Sequence, residues 1–505
     1  MIMKNPAGSP VRIRGSQGRS LLRNGLYNVG GQTARGVISL LAIPFVIRFL
    51  GIREYGVWSL AYAVLALMTM SESGISVAAT VFLSKDLAKD DSHEVSRTLT
   101  FILISAVSLA AALGLFLWIA GPFIVRPLAA FGGAERAEAG RAMQIAGSAV
   151  SFFILQRTLV GIEQAFDCYA AINVLELSQS LLANVGLVVV AWFGGRTIDM
   201  MKWQVLAYAV LLASHCCVVF RLLRNKRLSF EWSGTKARRI FRYSVATWTA
   251  TLGSAAFSQC DRLIVGGVLG APLLGIYAAI TNITSKINSF SSTAVQPLVP
   301  LLSRGGALNS EVRDRIRQAT HLNGLIAIEA GVFLYVLADW VMRVMVPGAV
   351  ARQDILGLQI AAVIYALYSI SAPGFFILFS FGEAQTNAIA TLSSGVVSLI
   401  LILVGARYFG LLGALAGNAG YLGTLLMNVF GLRKVEVALR HYIGWMVVPL
   451  LGLVAALLAG LFLQDHFWWR VGFVALQVAV LSCWFLRTHA EARWMRFEFR
   501  RVSES

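Results

Sequence analysis

Charge is what this chain has little of. Asp, Glu, Lys and Arg make up 13% of its 505 residues, against 57% hydrophobic residues and a mean hydropathy of +0.71. A soluble domain needs far more charge on its surface, so a soluble fold is excluded. Cysteine is also sparse. Cys168, Cys216, Cys217, Cys260 and Cys483 are scattered without a CxxC pair and read as small apolar residues with no disulfide or metal duty. No GxxxxGK[ST] loop occurs, which argues against ATP hydrolysis by this chain. No HExxH, histidine cluster or Ser-His-Asp pattern occurs either, and the expected outer loops are too short for a catalytic domain. The expectation is therefore no enzyme, no cofactor and no bound metal. Alternating short strands are missing too, which sets a β-barrel aside.

What the chain has in abundance is long apolar runs. About fourteen are long enough to cross a bilayer, at 26–50, 56–83, 98–120, 141–161, 171–193, 204–222, 240–268, 273–302, 321–346, 355–380, 388–408, 411–431, 443–463 and 468–487. In lipid the backbone must satisfy its own hydrogen bonds, so these runs are read as helices. The fold class expected is all-α, a polytopic membrane protein with two pseudo-symmetric six-helix lobes and two additional C-terminal helices.

The net charge of +18 does not point to nucleic acid, because the cations sit in short loops between apolar runs. They alternate in density. Lys85, Lys89 and Arg97 fall on one side, as do the dense group from Arg221 to Arg242, then Arg304 to Arg317, Arg433, Lys434 and Arg440. The other side carries only a few, such as Arg53, Arg126, Arg136, Arg196, Lys202 and Arg352. The positive-inside rule then places both termini in the cytoplasm, with anionic lipid headgroups as neighbours. The domain reading is a basic tail at 1–25, an N-lobe at 26–222, a basic linker at 223–239, a C-lobe at 240–431, two further spans within 443–487 and a basic tail at 488–505. The first apolar run is read as a retained span rather than a cleaved signal. The last tail, with Trp494, Phe497 and Phe499, either lies on the inner headgroups or is solvated.

A short pattern repeats. Leu50 to Trp58 reads LGIREYGVW and Leu269 to Tyr277 reads LGAPLLGIY. Trp192-Phe193-Gly194 and Tyr408-Phe409-Gly410 echo each other at nearly the same offset. Two echoes in register indicate a duplicated bundle, with each LG-x4-G stretch an outer turn between two helices.

Polar residues inside the spans form stripes at helical spacing: Asn28, Gln32, Arg35 and Ser39; Thr69, Glu72, Ser76 and Thr80; Thr247, Thr251, Ser254, Ser258 and Asp261; Asn282, Lys286, Ser289, Thr293 and Gln296. Facing stripes would build one polar cavity between the lobes. Isolated Ser and Thr are better explained by hydrogen bonds between helices. Arg35 and Lys286 are not explained that way, because each lies roughly 13–20 Å from the nearest end of its span, too deep to snorkel. Arg157 and Glu176 read as a structural pair. Fixed cations suit an anionic cargo, with Arg35, Lys286, Arg262, Asn28, Gln32 and Asn282 as binding candidates. Glu72, Asp261 and Glu329 are the candidates for a coupling ion.

The first hairpin (Asn28 through Arg48-Phe-Leu-Gly51 to Trp58), Glu72-Ser-Gly74-Ile75, Asp261-Arg-Leu-Ile-Val-Gly266 with Leu269-Gly270, and Gly410-Leu-Leu-Gly413 carry a resemblance. The chain resembles the oligosaccharide flippases of the multidrug/oligosaccharidyl-lipid/polysaccharide exporter superfamily, the O-antigen flippase type above all. That resemblance implies two lobes opening alternately to either face. It also implies a cargo of undecaprenyl-diphosphate-linked sugar moved outward across the cell inner membrane, a proton or sodium gradient, and pathway partners such as polymerase and chain-length proteins. Glu72 stands where relatives often carry Asp. A cation-coupled drug exporter, a peptidoglycan-precursor flippase and a membrane glycosyl polymerase are the other readings. The cationic first span opposes the exporter, and the short outer loops oppose the polymerase.

Overall fold

Gly51 and Gly270 have nearly the same backbone, φ 84° with ψ 152° and φ 83° with ψ 177°. This region is open to glycine and strained for any other residue. In the computed structural model each breaks a helical path between two spans at the matching point of the repeat. The structure describes residues 15–89, 91–224, 229–255, 257–303, 310–346, 350–463 and 466–489. Most of the N-terminal tail, part of the linker and nearly all of the C-terminal tail, with Trp494, Phe497 and Phe499, lie outside them.

The described residues are helical throughout, with no strand. The first lobe runs α1 (Gly15–Leu50), α2 (Ile52–Thr69), α3 (Ser73–Leu87), α4 (Ser92–Ile124), α5 (Gly133–Ala165), α6 (Tyr169–Trp192) and α7 (Thr197–Leu223). The second runs α8 (Gly234–Ala255), α9 (Phe257–Thr293), α10 (Leu298–Ser303), α11 (Ser310–Val336), α12 (Ala338–Met345), α13 (Arg352–Ser369), α14 (Ala372–Ser380), α15 (Ala384–Gly417) and α16 (Leu426–Lys434). A closing hairpin follows, α17 (Leu439–Phe462) and α18 (Phe467–His489). Among the described residues 11 stretches are long and apolar enough to cross a membrane. One of them runs through Gly270 and another through Gly410 (φ 61°), where the chain turns back. With α1, the order is consistent with the crossings expected from the sequence.

Helices outrun the apolar runs. The run expected from 141 belongs to a helix that begins at Gly133, where Glu135 accepts a hydrogen bond from the Gly132 N–H (2.7 Å). Charged first turns are as helical as the apolar interior but leave the membrane, which hydropathy alone cannot register.

The lobes meet where α2 crosses α9. A β-carbon on Gly56 would lie 1.9 Å from the Ala271 carbonyl oxygen, and one on Gly275 would lie 2.2 Å from that of Ile52. Under the repeat Gly56 corresponds to Gly275 and Ile52 to Ala271. The contact is therefore reciprocal, as a two-fold relation requires. Around it Tyr55, Leu60, Leu274 and Tyr277 are buried in one core drawn from both lobes. The outward faces are apolar, as lipid demands: Trp118, Phe116, Leu401 and Val404 are all exposed. Farther from this crossing a second seam closes α3 on α8, with Gly74 against the Ser244 backbone.

The linker end of α8 is held to the first lobe by charge. Lys236 Nζ lies 2.7 Å from Asp86 and 2.8 Å from Glu94, while Glu231 takes His93 (2.6 Å) and Arg97 (3.2 Å). Hydrogen bonds from Ser229 and His93 hold the Glu231 carboxyl below its ordinary range. Its contribution is complete above the ordinary carboxylate range and is lost as acid titrates it through the lowered one. The C-terminal hairpin packs on α11 and α12, with Arg470 donating to both oxygens of Asp339 (2.8 and 2.9 Å) and His321 3.0 Å from His489.

Gly275→Ala forces the α2–α9 crossing apart and is expected to destabilise that face by about 1–3 kcal/mol, the usual range for overpacking. Hydrogen exchange at 52–58 and 271–277 should rise while exchange in α17 and α18 stays as in the wild type. Unchanged exchange at both crossing segments contradicts the assignment.

Candidate functional site

Two chambers open beside the α2–α9 crossing and meet at three residues, Arg262, Asn282 and Lys286, which line both. The larger, about 550 Å³, is walled by α9, α13, α14 and the 3-10 segment Asn418–Leu425. Its surface is aromatic and hydroxyl-rich, with Tyr365, Tyr368, Phe375 and Tyr421 facing Ser285 and Ser289. The smaller, about 130 Å³, is formed by α1, α2, α6 and α7 through Ser39, Tyr55, Trp58, Tyr62, Asn184 and Gln204.

Hydrogen bonds fix the junction. Arg262 Nη2 donates to Asn282 Oδ1 (2.6 Å), and Asn282 Nδ2 donates to the Tyr55 hydroxyl (3.0 Å), which ties α9 to α2. Asp261 accepts from the Tyr277 hydroxyl (2.9 Å) and from the Arg262 N–H (2.7 Å). Asn418 donates to Tyr277 (3.3 Å) and accepts from Tyr365 (3.3 Å). Asp261 thus belongs to a tyrosine–asparagine chain, and the Arg262 side chain is left without a carboxylate within ion-pair distance among the described residues. Arg262 Nε is buried and has no hydrogen-bond partner. Lys286, one turn beyond Asn282 on α9, also has no ion-pair or hydrogen-bond partner among the described residues. The junction therefore offers open cationic donors. Ser285 and Ser289 donate back to carbonyls of their own helix (3.0 and 3.3 Å), which leaves their oxygens free to accept.

The other expected cation sits elsewhere. Arg35 on α1 is ion-paired with Glu176 on α6. Arg157 on α5 reaches the other oxygen of Glu176 (2.8 Å) and lies 3.6 Å from Glu72, in the 3-10 turn between α2 and α3. The pair expected between Arg157 and Glu176 is present, and it extends into a network of four charges inside the first lobe. Glu72 Oε2 is buried without a hydrogen-bond partner. The structure thus gathers Asp261, Arg262, Asn282 and Lys286 at the cavity, and Arg35 and Glu72 in the ion-pair network of the first lobe. Glu329 joins neither group. It lies on α11 next to Gln477 of α18. The side chains of Asn28, Gln32, Thr251, Ser254 and Ser258 are outside the described residues. The stripe on the second span turns away from the chambers, with Thr80 donating to the Gly161 carbonyl (3.1 Å) and to Gln164 (3.0 Å) on α5.

Sequence reasoning missed Tyr365, Tyr368, Tyr421 and Asn418. They carry no formal charge, so a search for ionisable groups passes over them. The available signal was two tyrosines one helical turn apart in one span, and the amide of Asn418 in another.

A comparison with known proteins fits this architecture. The chain is 24% identical over 359 residues to the EPS I polysaccharide export inner membrane protein EpsE of Ralstonia nicotianae, across 68% of this chain and 78% of that protein. Among solved structures it is similar to the lipid II flippase MurJ in an inward closed conformation, with a TM-score of 0.72 at 14% identity, covering 92% of this chain and 100% of that one. It is also similar to a multidrug resistance MATE family transporter of the MOP superfamily in an inward-facing conformation, with a TM-score of 0.67 at 14% identity, covering 82% of this chain and 94% of that one. At such identities the solved structures establish the fold. The family described as "Polysaccharide biosynthesis protein" matches residues 45–348, more than half of the sequence, and the chain belongs to that family of membrane proteins.

Proposed function

We propose that this protein flips a lipid-linked oligosaccharide, an undecaprenyl-diphosphate sugar repeat unit, from the inner to the outer face of the cytoplasmic membrane for surface polysaccharide synthesis. The observation that carries the reading is the junction of Arg262 and Lys286, two cations without a carboxylate ion pair, opening onto the tyrosine- and hydroxyl-lined chamber. A guanidinium binds a diphosphate through paired hydrogen bonds, and an ammonium adds a point charge. The sugars occupy the larger chamber, where hydroxyl and amide groups match their hydroxyls and flat tyrosine faces match their apolar faces. A cationic drug would meet the same two charges as repulsion, which opposes an exporter of such drugs.

Transport follows alternating access, with both termini cytoplasmic. The chambers lie on the linker side of the Gly56–Gly275 crossing, so the crossing acts as the outer seal. Arg35 joins the cargo once its hold on Glu176 weakens, with Asn28 and Gln32 on the same helix face as further contacts. Glu72 governs that release. Neutralising Glu72 with a proton, or screening it with sodium, leaves Arg157 to Glu176 alone and loosens the claim of Glu176 on Arg35. Asp261, one residue from Arg262, is a second coupling group, and Glu329 a third that acts on the C-terminal hairpin. Polymerase and chain-length proteins of the same pathway are the partners expected to receive the product.

Four variants test this in liposomes holding a labelled undecaprenyl-diphosphate sugar. Loss of one charge-assisted contact of about 1.5–3 kcal/mol predicts that Arg262→Ala and Lys286→Ala each weaken cargo affinity roughly 10- to 100-fold. Wild-type affinity in both rules out the junction as the diphosphate site. Arg35→Ala is expected to abolish flipping while membrane insertion and the folded state persist, and wild-type rates there remove Arg35 from the transport cycle. Glu72→Gln should flip at a rate indifferent to an imposed proton or sodium gradient. Equal gradient dependence in this variant and the wild type contradicts the coupling role.

A further inference from the structure

On the face opposite the linker, the flank of the first lobe carries cations without an ion pair among the described residues. Arg53, Arg196 and Arg470 on this face each have carboxylate partners, namely Glu135, then Glu54 with Glu138, then Asp339. Arg136 and Arg141 on α5 have no ion pair among the described residues. They share a groove of about 360 Å³ between α4 and α5 with Arg126, whose guanidinium lies 4.3 Å from the Phe123 ring centre. A second depression of about 760 Å³, on the α7 side of the same helix, also includes Arg141. Neither contains an Asp or Glu.

The depth of this groove identifies its occupant. The apolar run of α5 begins at Arg141, about 12 Å along the helix from Gly133, so the guanidinium sits where hydrocarbon gives way to headgroups. Only 22% of the apolar window of α4 is buried, so this flank faces the bilayer. Trp118 in the adjoining depression, with Ile119 and Phe123 on the same stretch of α4, is exposed and continues the groove as an apolar surface below the arginines. Gln144 Nε2 donates to the Trp118 carbonyl (3.1 Å) and ties the two sides of the groove together. Unpaired guanidinium groups above an apolar wall are complementary to a phosphate headgroup above its acyl chain.

We infer that the groove bounded by Arg126, Arg136, Arg141 and Gln144 is a binding site for an anionic phospholipid of the surrounding bilayer, separate from the transport cavity. Its phosphate lies between Arg136 and Arg141, and its chain runs along Trp118, Ile119 and Phe123. The site is independent of what the protein transports and of which leaflet this face adjoins. It holds the α4–α5 flank in the membrane, on the face where the chain has few basic residues to do so.

The test is native mass spectrometry of the full chain in detergent, titrated with phosphatidylglycerol or with phosphatidylcholine of the same chains. Wild type should hold phosphatidylglycerol in preference. At about 1 kcal/mol per arginine, R136Q and R141Q should each weaken its tightest site about fivefold, and R136Q/R141Q about thirtyfold. The single variants keep the test decisive if the double variant does not fold. Three results overturn the proposal: equal phosphatidylglycerol affinity in wild type and variants, no preference over phosphatidylcholine, or full displacement by inorganic phosphate alone. The last would mark a free-anion site, and indifference to lipid type would leave the groove to a protein partner.

Discussion

Everything in this structure hangs from a contact without side chains. Gly56 and Gly275 bring the backbones of α2 and α9 so close that a single β-carbon on either would overlap a carbonyl oxygen of the other helix. Helices that touch this closely do so through dispersion and weak C–H contacts, and small residues are what allow it. Because the two glycines correspond under the internal repeat, the contact relates one lobe to the other. It also fixes the cavity, since Tyr55 and Asn282 bond across it and Arg262 follows from Asn282.

The two lobes have diverged in how they hold charge. The first keeps Arg35, Arg157, Glu72 and Glu176 in a mutually compensating network. The second leaves Arg262 and Lys286 open beside Asp261, whose oxygens are occupied. In a medium of low dielectric an uncompensated cation costs several kcal/mol unless a counter-charge arrives. In the proposed function an anionic cargo supplies that counter-charge, which would connect the arrangement of ion pairs to transport. The same reasoning separates the exposed arginines of α5 from the paired ones around them.

Much of the fold was legible in the sequence because its signals are local. Apolar length gives the helices, loop cations give their alternation, and LG-x4-G marks both the turn and the crossing. Gly51, Gly270 and Gly410 all occupy left-handed backbone at the breaks the repeat indicated. The site was legible only in part. Arg262, Asn282 and Lys286 stand out as polar residues in two successive apolar spans and line the cavity. The partner of Arg35 could not be read, because Glu176 is 141 residues away and only the packing of α1 on α6 unites them. The aromatic chamber was invisible for a different reason: Tyr365, Tyr368 and Tyr421 look like ordinary span residues until the helices carrying them converge.

The central claim is that a diphosphate joined to sugar is what the cation junction recognises. It is tested most directly with purified wild-type protein in liposomes and three labelled lipids of one sugar: an undecaprenyl diphosphate, an undecaprenyl monophosphate and an uncharged glycolipid. The account predicts that the diphosphate crosses fastest, the monophosphate more slowly, and the uncharged lipid no faster than in protein-free vesicles. Equal flipping of the uncharged glycolipid and the diphosphate would contradict it.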